Sequence, residues 1–310
     1  MISTNKNSPT ILGNYFVLFL DIQGVRDGLF SGIPTVLLDG AEIGREKNVE
    51  VETLNRTIGE FCGALGQMVC FIKTKPEEYF DYLIQGHECG KDEGFREERL
   101  DEIRNLKVGI QQFSDSTLIY VRDTGDVARL VFQQLMMRTA FEMIKAMAKH
   151  VFMRGSMVYG AGWEVGMNCL FGPVLRQAYE IEERVAFSFR IVVSSEFFRV
   201  ASGEMKALAS AGADTTKPFP FKLISRDPDG LLCFDYLAKD ALQEYRRYGA
   251  DVMPFLTEAY NFAALRHRHF KEDALCNMRS AKLSMKYAMF LSYMDARLSS
   301  YKVDQKNAQS

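Results

Sequence analysis

The stretch Tyr15-Phe-Val-Leu-Phe-Leu-Asp-Ile-Gln-Gly24 decides the fold. Its bulky residues from Tyr15 to Leu20 carry no polar alternation, the pattern of a central strand buried on both faces. The run ends on Asp21, a carboxylate that is costly to desolvate unless a cation or hydrogen-bond donors meet it. Gln23-Gly24 then lets the chain turn, and Val25 to Leu38 reads as a helix whose first N–H groups suit a phosphate. Taken alone, Asp21 has two readings: a site carboxylate, or a cap for that helix.

Working outward, Lys107 to Val121 reads as two short strands meeting around Ser114-Asp115-Ser116, a hairpin with a second carboxylate at its tip. Two acidic tips, each after a β-run, match a site in which two divalent metals hold a triphosphate.

The chain has 310 residues, 47% of them hydrophobic, enough for a sizeable core. A net charge of −2 argues against general nucleic-acid binding, which needs a basic face. The six cysteines form no CxxC pair, and Met1 to Pro9 is polar with no apolar signal core, so a cytoplasmic protein with reduced thiols is expected. No apolar run approaches a bilayer span, so no membrane partner is expected.

The remaining elements follow from periodicity and turn chemistry. Asp39 to Glu50 reads as a loop. Val51 to Tyr82 reads as an amphipathic helix through Leu54, Ile58, Phe61 and Leu65, ended or interrupted near Pro76. Gly86 to Arg104 reads as a charged surface insertion, where an exposed loop explains His87 and Cys89 better than a metal does. Asp126 to His150 is a strong helix with Val127, Leu130, Val131, Leu135, Met136 and Ile144 inward, its methionines serving as core filler. Phe152 to Trp163 is a strand with Trp163 at its rim. Gly166 to Gly172 is a short strand or turn, and Pro173 suits the first turn of a helix over Val174 to Ala186. On that helix Arg176 and Glu180 lie four apart on one face. A strand (Phe189 to Ser194), a helix into Ala211 and a hairpin around Asp227-Pro-Asp-Gly230 come next. Ala238 to Ser300 is helical with a break at Pro254, and His267 and His269 sit on a solvated basic face.

Several of these stretches carry a resemblance. Phe19-Leu-Asp-Ile-Gln-Gly24 and Phe113-Ser-Asp115 are followed in order by Arg154-Gly-Ser-Met-Val-Tyr-Gly160, Phe171 to Glu182 and Phe189 to Ser194. In these blocks the sequence resembles the class III nucleotidyl cyclases, and in wording most nearly the bacterial anti-phage pyrimidine cyclases of the Pycsar type. The match spans roughly residues 14 to 237. It implies an α+β fold, class III cyclase-like with a ferredoxin-like core: a mixed, mainly antiparallel sheet flanked by helices, with a C-terminal helical extension. Residues 1–13 would be a lead-in, 14–237 the catalytic domain with an insertion at about 39–106, and 238–310 the extension of that domain.

The resemblance also implies roles. Asp21, Asp115 and the Ile22 carbonyl would hold two divalent cations, Mn²⁺ or Mg²⁺. Gln23, Gly24 and Arg26 would face the triphosphate. Gln111 stands where adenylate cyclases read the base with lysine, and Cys169 where they place its aspartate partner. A carboxamide donates and accepts, which suits uracil's mixed edge, while Tyr15 or Phe16 would narrow the pocket. Arg176 and Glu180 stand where the family places its transition-state Asn and Arg, and Arg154 and Arg190 are further cationic candidates. The implied protein is a homodimer with sites across its interface, making cUMP from UTP. A cCMP- or purine-specific cyclase and an inactive nucleotide-binding module are the alternatives.

Overall fold

A computed structural model describes residues 11–23, 43–84, 93–113, 116–165, 169–210, 223–239, 241–242, 245, 251–275 and 277–309. The expected Val25–Leu38 helix, together with Gly24, Arg26, His87, Cys89 and Asp115, lies outside them. The chain is α+β, with an eight-stranded mixed sheet. Its strands are β1 (Ile11–Gln23), β2 (Val108–Phe113), β3 (Ser116–Arg122), β4 (Phe152–Glu164), β5 (Leu170–Phe171), β6 (Ile191–Val193), β7 (Ile224–Arg226) and β8 (Leu232–Phe234). Their order is β2-β3-β1-β4-β6-β8-β7, with β5 paired to β4. Only β4 and β6 pair in parallel; the other neighbours run antiparallel.

β1 lies between β3 and β4, as its apolar run predicts, and its side chains divide by parity. Phe16, Leu18, Leu20 and Ile22 enter the main core. That core is completed by helices α1 (Ile43–Thr74), α2 (Pro76–Ile84), α3 (Glu93–Arg104), α4 (Asp126–Ala148), α6 (Ser195–Ser210), α7 (Met253–Asp273) and α8 (Met278–Gln309). Tyr15, Val17 and Phe19 face the other way, and there they meet helix α5 (Pro173–Arg184). α5 buries Val174, Ala178 and Glu182, one stripe four residues apart, and Pro173 occupies its first turn. The buried Ser156 hydroxyl donates to the Ala178 carbonyl at 2.7 Å and fastens α5 to β4.

Several expectations are modified. Residues 43–50 are helical rather than a loop: Arg45, Glu46 and Lys47 are good helix formers that need no buried face. Pro76 starts a new helix instead of only ending one. Part of the charged insertion is helix α3, held by Arg104 to Asp101 at 2.9 Å and to Glu77 at 2.7 Å. Leu130 is 38% exposed, whereas Val127, Val131, Leu135, Met136 and Ile144 are buried with Met137, Met143 and Met147. His267 is half-buried, its Nδ1 3.0 Å from the Ser284 carbonyl, so it joins α7 to α8 rather than facing solvent. The C-terminal helices add Leu256, Ala259, Phe290 and Met294 to the main core.

Gly155 marks the tightest point of the central pair. A Cβ there would stand 2.2 Å from the Phe19 carbonyl oxygen, a backbone atom that cannot rotate away. At Gly160 the nearest atom would be at 3.7 Å, ordinary contact. Gly155→Ala is therefore expected to lower the melting temperature by about 3 °C or more, a cost of order 2 kcal/mol or above, and Gly160→Ala by far less. Parallel thermal melts of the two variants check this, and equal melting would remove the steric account.

Candidate functional site

Strand parity puts most of the described candidate side chains on one face of the sheet. Asp21, Phe19 and Tyr15 share the α5 side of β1, while Gln111 is opposite Leu118 and Leu118 opposite Phe19 on that same side. Phe16 is on the other face, packed against Phe132, Tyr159 and Phe197 with ring centroids 5.4, 4.9 and 5.9 Å away. Of the two aromatics offered for a base pocket, only Tyr15 shares the face of Gln111.

At one end of this face, Asp21 is opposite Ser116 on β3 and Arg154 on β4. Ser116 is the residue next in the chain after Asp115. Its hydroxyl donates to Asp21 Oδ1 at 3.0 Å, and Arg154 Nε stands 3.7 Å from Oδ2. Above them α5 lowers Glu182, 3% exposed, into an ion pair with the same Arg154 nitrogen. Burial pushes the Glu182 carboxyl up to about 7; Arg154 opposes this and the neighbouring Asp21 charge adds to it. The sequence offers Arg154 as one of several cations and does not single out Glu182. Only the register of β1 with β4, and the seating of α5, join them to Asp21.

This donor set suits a hard cation. Asp21 is about four-fifths buried and supplies carboxylate oxygens, the ligands that Mg²⁺ and Mn²⁺ take, and Glu182 places further negative charge beside it. Among the described residues, no group of three or more His, Cys, Asp or Glu converges. Asp115, the other proposed ligand, is outside them. Gln23 ends β1.

Glu182 gives a pH prediction for the metal-free protein. Its carboxyl rises from the ordinary 4.5 to about 7 on folding, so it favours the fold fully below the lower value. That contribution is lost as pH rises through the upper value. The urea midpoint should fall between about pH 5 and about pH 8, and Glu182→Gln should lose much of that dependence. Identical pH profiles for both proteins would contradict the burial account.

The other end of the face is shaped by a curl. Gln111 is level with Phe19, whereas Leu170 pairs with Glu164, which is level with Ile11. Eight residues along a flat strand would separate those levels by about 26 Å. The Gln111 carboxamide oxygen nevertheless accepts from the Leu170 N–H at 3.1 Å. The β4–β5 end of the sheet thus folds back over its own face, with Gly160 and Gly162 in the bend and Val174 packed against both. Cys169, adjacent to Leu170, arrives beside Gln111 in this way. The fold thus brings Gln111 to the residue next to Cys169, its partner in the sequence expectation.

Tyr120 and Glu164 were not singled out in the sequence. The Tyr120 hydroxyl donates to Glu164 Oε1 at 3.0 Å, and both residues are buried. Burial, then the Glu164 charge, raises the Tyr120 hydroxyl well above its usual range. Gly109 makes room for this ring: a Cβ there would come 2.5 Å from its end. A glycine opposite a tyrosine was the legible signal, but it does not say which acid the tyrosine meets.

Arg176 is not joined to this cluster within one chain. It is exposed on α5 and ion-paired with Glu180 at 2.9 Å. Arg190 bonds Asp227 at 2.9 Å and Asp229 at 2.6 Å in the β7–β8 turn, a structural role. Compared with known proteins, the chain matches no family model and no curated protein. Among the described residues, no helix is long and apolar enough to cross a membrane.

Proposed function

We propose that this chain is a metal-dependent nucleotide cyclase of the class III type that makes cUMP from UTP and releases pyrophosphate. The reading starts from the ordered sequence blocks. The observation that carries it is a shared face of the sheet: Asp21 at one end, beside the residue that follows Asp115, and Gln111 with Cys169 under the curled ribbon. The strand order β2-β3-β1-β4 adds support, being that of interleaved split β-α-β units with a ferredoxin-like core.

In this reading, two divalent cations supply charge neutralisation at the phosphates and at the attacking ribose oxygen. The chain's own groups do the rest. Asp21, Asp115 and the Ile22 carbonyl would hold the cations, with Ser116 fixing the Asp21 carboxylate. Gln23, Gly24 and Arg26 would contact the triphosphate, as the resemblance implies. Gln111 and Cys169 meet the base, and Tyr15 closes the pocket from below. Arg154 lies within reach of Asp21, one of the proposed metal ligands. Arg176 and half-exposed Tyr179 share the outer side of α5, where a second copy would meet them in a homodimer. A role in anti-phage defence belongs to the same proposal and rests on the resemblance alone.

One observation favours a second reading, an inactive nucleotide-binding module. Asp21 already has Ser116 and Arg154 against its oxygens, so the fold satisfies it without a metal. Mn²⁺ titration of the purified protein, followed by calorimetry, separates the two. The cyclase reading predicts binding that Asp21→Asn removes. Binding unaffected by that change would refute the metal assignment.

A further inference from the structure

On the face described above, Glu164 is 7% exposed, and its Oε2 is buried with no hydrogen-bond partner. Native proteins seldom leave a buried carboxylate oxygen in that condition. Its nearest hydroxyl cannot relieve it, because the single Tyr120 proton is already given to Oε1. The Tyr15 hydroxyl and the Lys73 ammonium both feel the Glu164 charge, and Tyr15 also meets the Glu164 backbone, but neither bonds Oε2. Oε2 thus lacks one N–H or O–H donor.

Its surroundings define that donor. Leu170, the direct cross-strand partner of Glu164, is the residue whose N–H the Gln111 oxygen accepts. This bond settles which way the Gln111 amide faces: its oxygen is spoken for, so the NH₂ is the end left for a ligand. Gln111 and Cys169 are half-exposed, with Glu164 behind them. A ligand entering there meets a donor from Gln111 and, deeper, an acceptor from Glu164.

We propose that Glu164 and Gln111 together read the lactam edge of a nucleobase. A ring N–H donates to Glu164 Oε2, and the adjacent ring carbonyl accepts from the Gln111 NH₂. The inference rests on the cyclase reading and deepens it by naming the base chemistry. Uracil and guanine present that N–H beside a carbonyl. Cytosine and adenine present a ring nitrogen acceptor beside an amino group, the reverse order, and would set a lone pair against the carboxylate. Glu164 is thus the residue that separates uracil from cytosine, which Gln111 alone, with a free amide, would not do.

The test uses the whole protein with Mg²⁺ and the 3′-deoxy forms of the four nucleoside triphosphates, which bind without cyclising, titrated by calorimetry. Wild type should favour uridine or guanosine over cytidine and adenosine; the uridine and guanosine arms tell the two lactam sources apart. In Glu164→Gln the Tyr120 hydroxyl still holds the side-chain oxygen, so an NH₂ replaces the acceptor. The uridine-to-cytidine affinity ratio should fall by about tenfold or more. Gln111→Glu, at a half-exposed position, serves if Glu164→Gln does not fold: it turns the donor into an acceptor and should weaken both lactam bases to a similar degree. A wild type that prefers cytidine or adenosine overturns the Glu164 assignment while leaving a cyclase in place. So does an unchanged base ranking in a folded Glu164→Gln. Failure of wild type to bind any of the four overturns this inference and the cyclase reading together.

Discussion

Asp21→Asn is expected to reduce nucleotide cyclisation by about a thousandfold or more while leaving a folded protein, since removal of one charged group from such a centre costs rates of that order. The change is close to isosteric. The Ser116 hydroxyl can still donate to the remaining oxygen, so the register of β1 with β3 has no reason to shift. What disappears is the negative charge at the end of β1. Among the described residues Arg154 then keeps Glu182 as its acidic partner, and the proposed cation has lost a carboxylate. Asp115→Asn is expected to behave alike. Circular dichroism and a melt establish folding, and turnover in Mn²⁺ is the readout. Near-normal turnover by either folded variant would contradict the two-metal assignment.

The second large effect concerns Arg176. Within one chain it points away from Asp21 and pairs with Glu180 on the open side of α5. If it serves a phosphate, it serves one bound by the partner subunit. Arg176→Ala alone should then cost about a hundredfold or more in rate, as loss of a charge-stabilising group does. Mixed with Asp21→Asn protein, it should regain activity. Equal mixing makes about half of the dimers hybrid, each with one site carrying both defects and one carrying neither, so recovery should approach about a quarter of wild type. No recovery after proven subunit exchange would mean that Arg176 does not act across an interface.

Much of the fold can be read directly from the sequence, because the evidence is local. The apolar run from Tyr15 to Leu20 becomes the strand buried on both faces, and Lys107 to Val121 becomes β2 and β3. Helix α4 and helix α5 follow their apolar spacing closely. The helical start at Ile43 and helix α3 escape, because dense charge hides the helical spacing, and in α3 leaves only Leu100 and Ile103 to mark a buried side. The site is less legible than the fold. Asp21 and Gln111 stand out as polar residues at informative positions in strands. Nothing near Glu182 in sequence announces Arg154, and nothing near Glu164 announces Tyr120. Those contacts depend on strand register, on where α5 lies and on the curl that carries Leu170 to Gln111. Each is a non-local outcome that spacing alone does not contain.

The most direct test of the central claim is product analysis. Purified protein is incubated with Mn²⁺ and each of the four ribonucleoside triphosphates separately, and the products are identified by mass. The account predicts cUMP and pyrophosphate from UTP, with the other three triphosphates turned over far less. A cyclic purine as the main product would contradict the assignment of the base, and no cyclic nucleotide from any of the four would contradict the assignment of a cyclase.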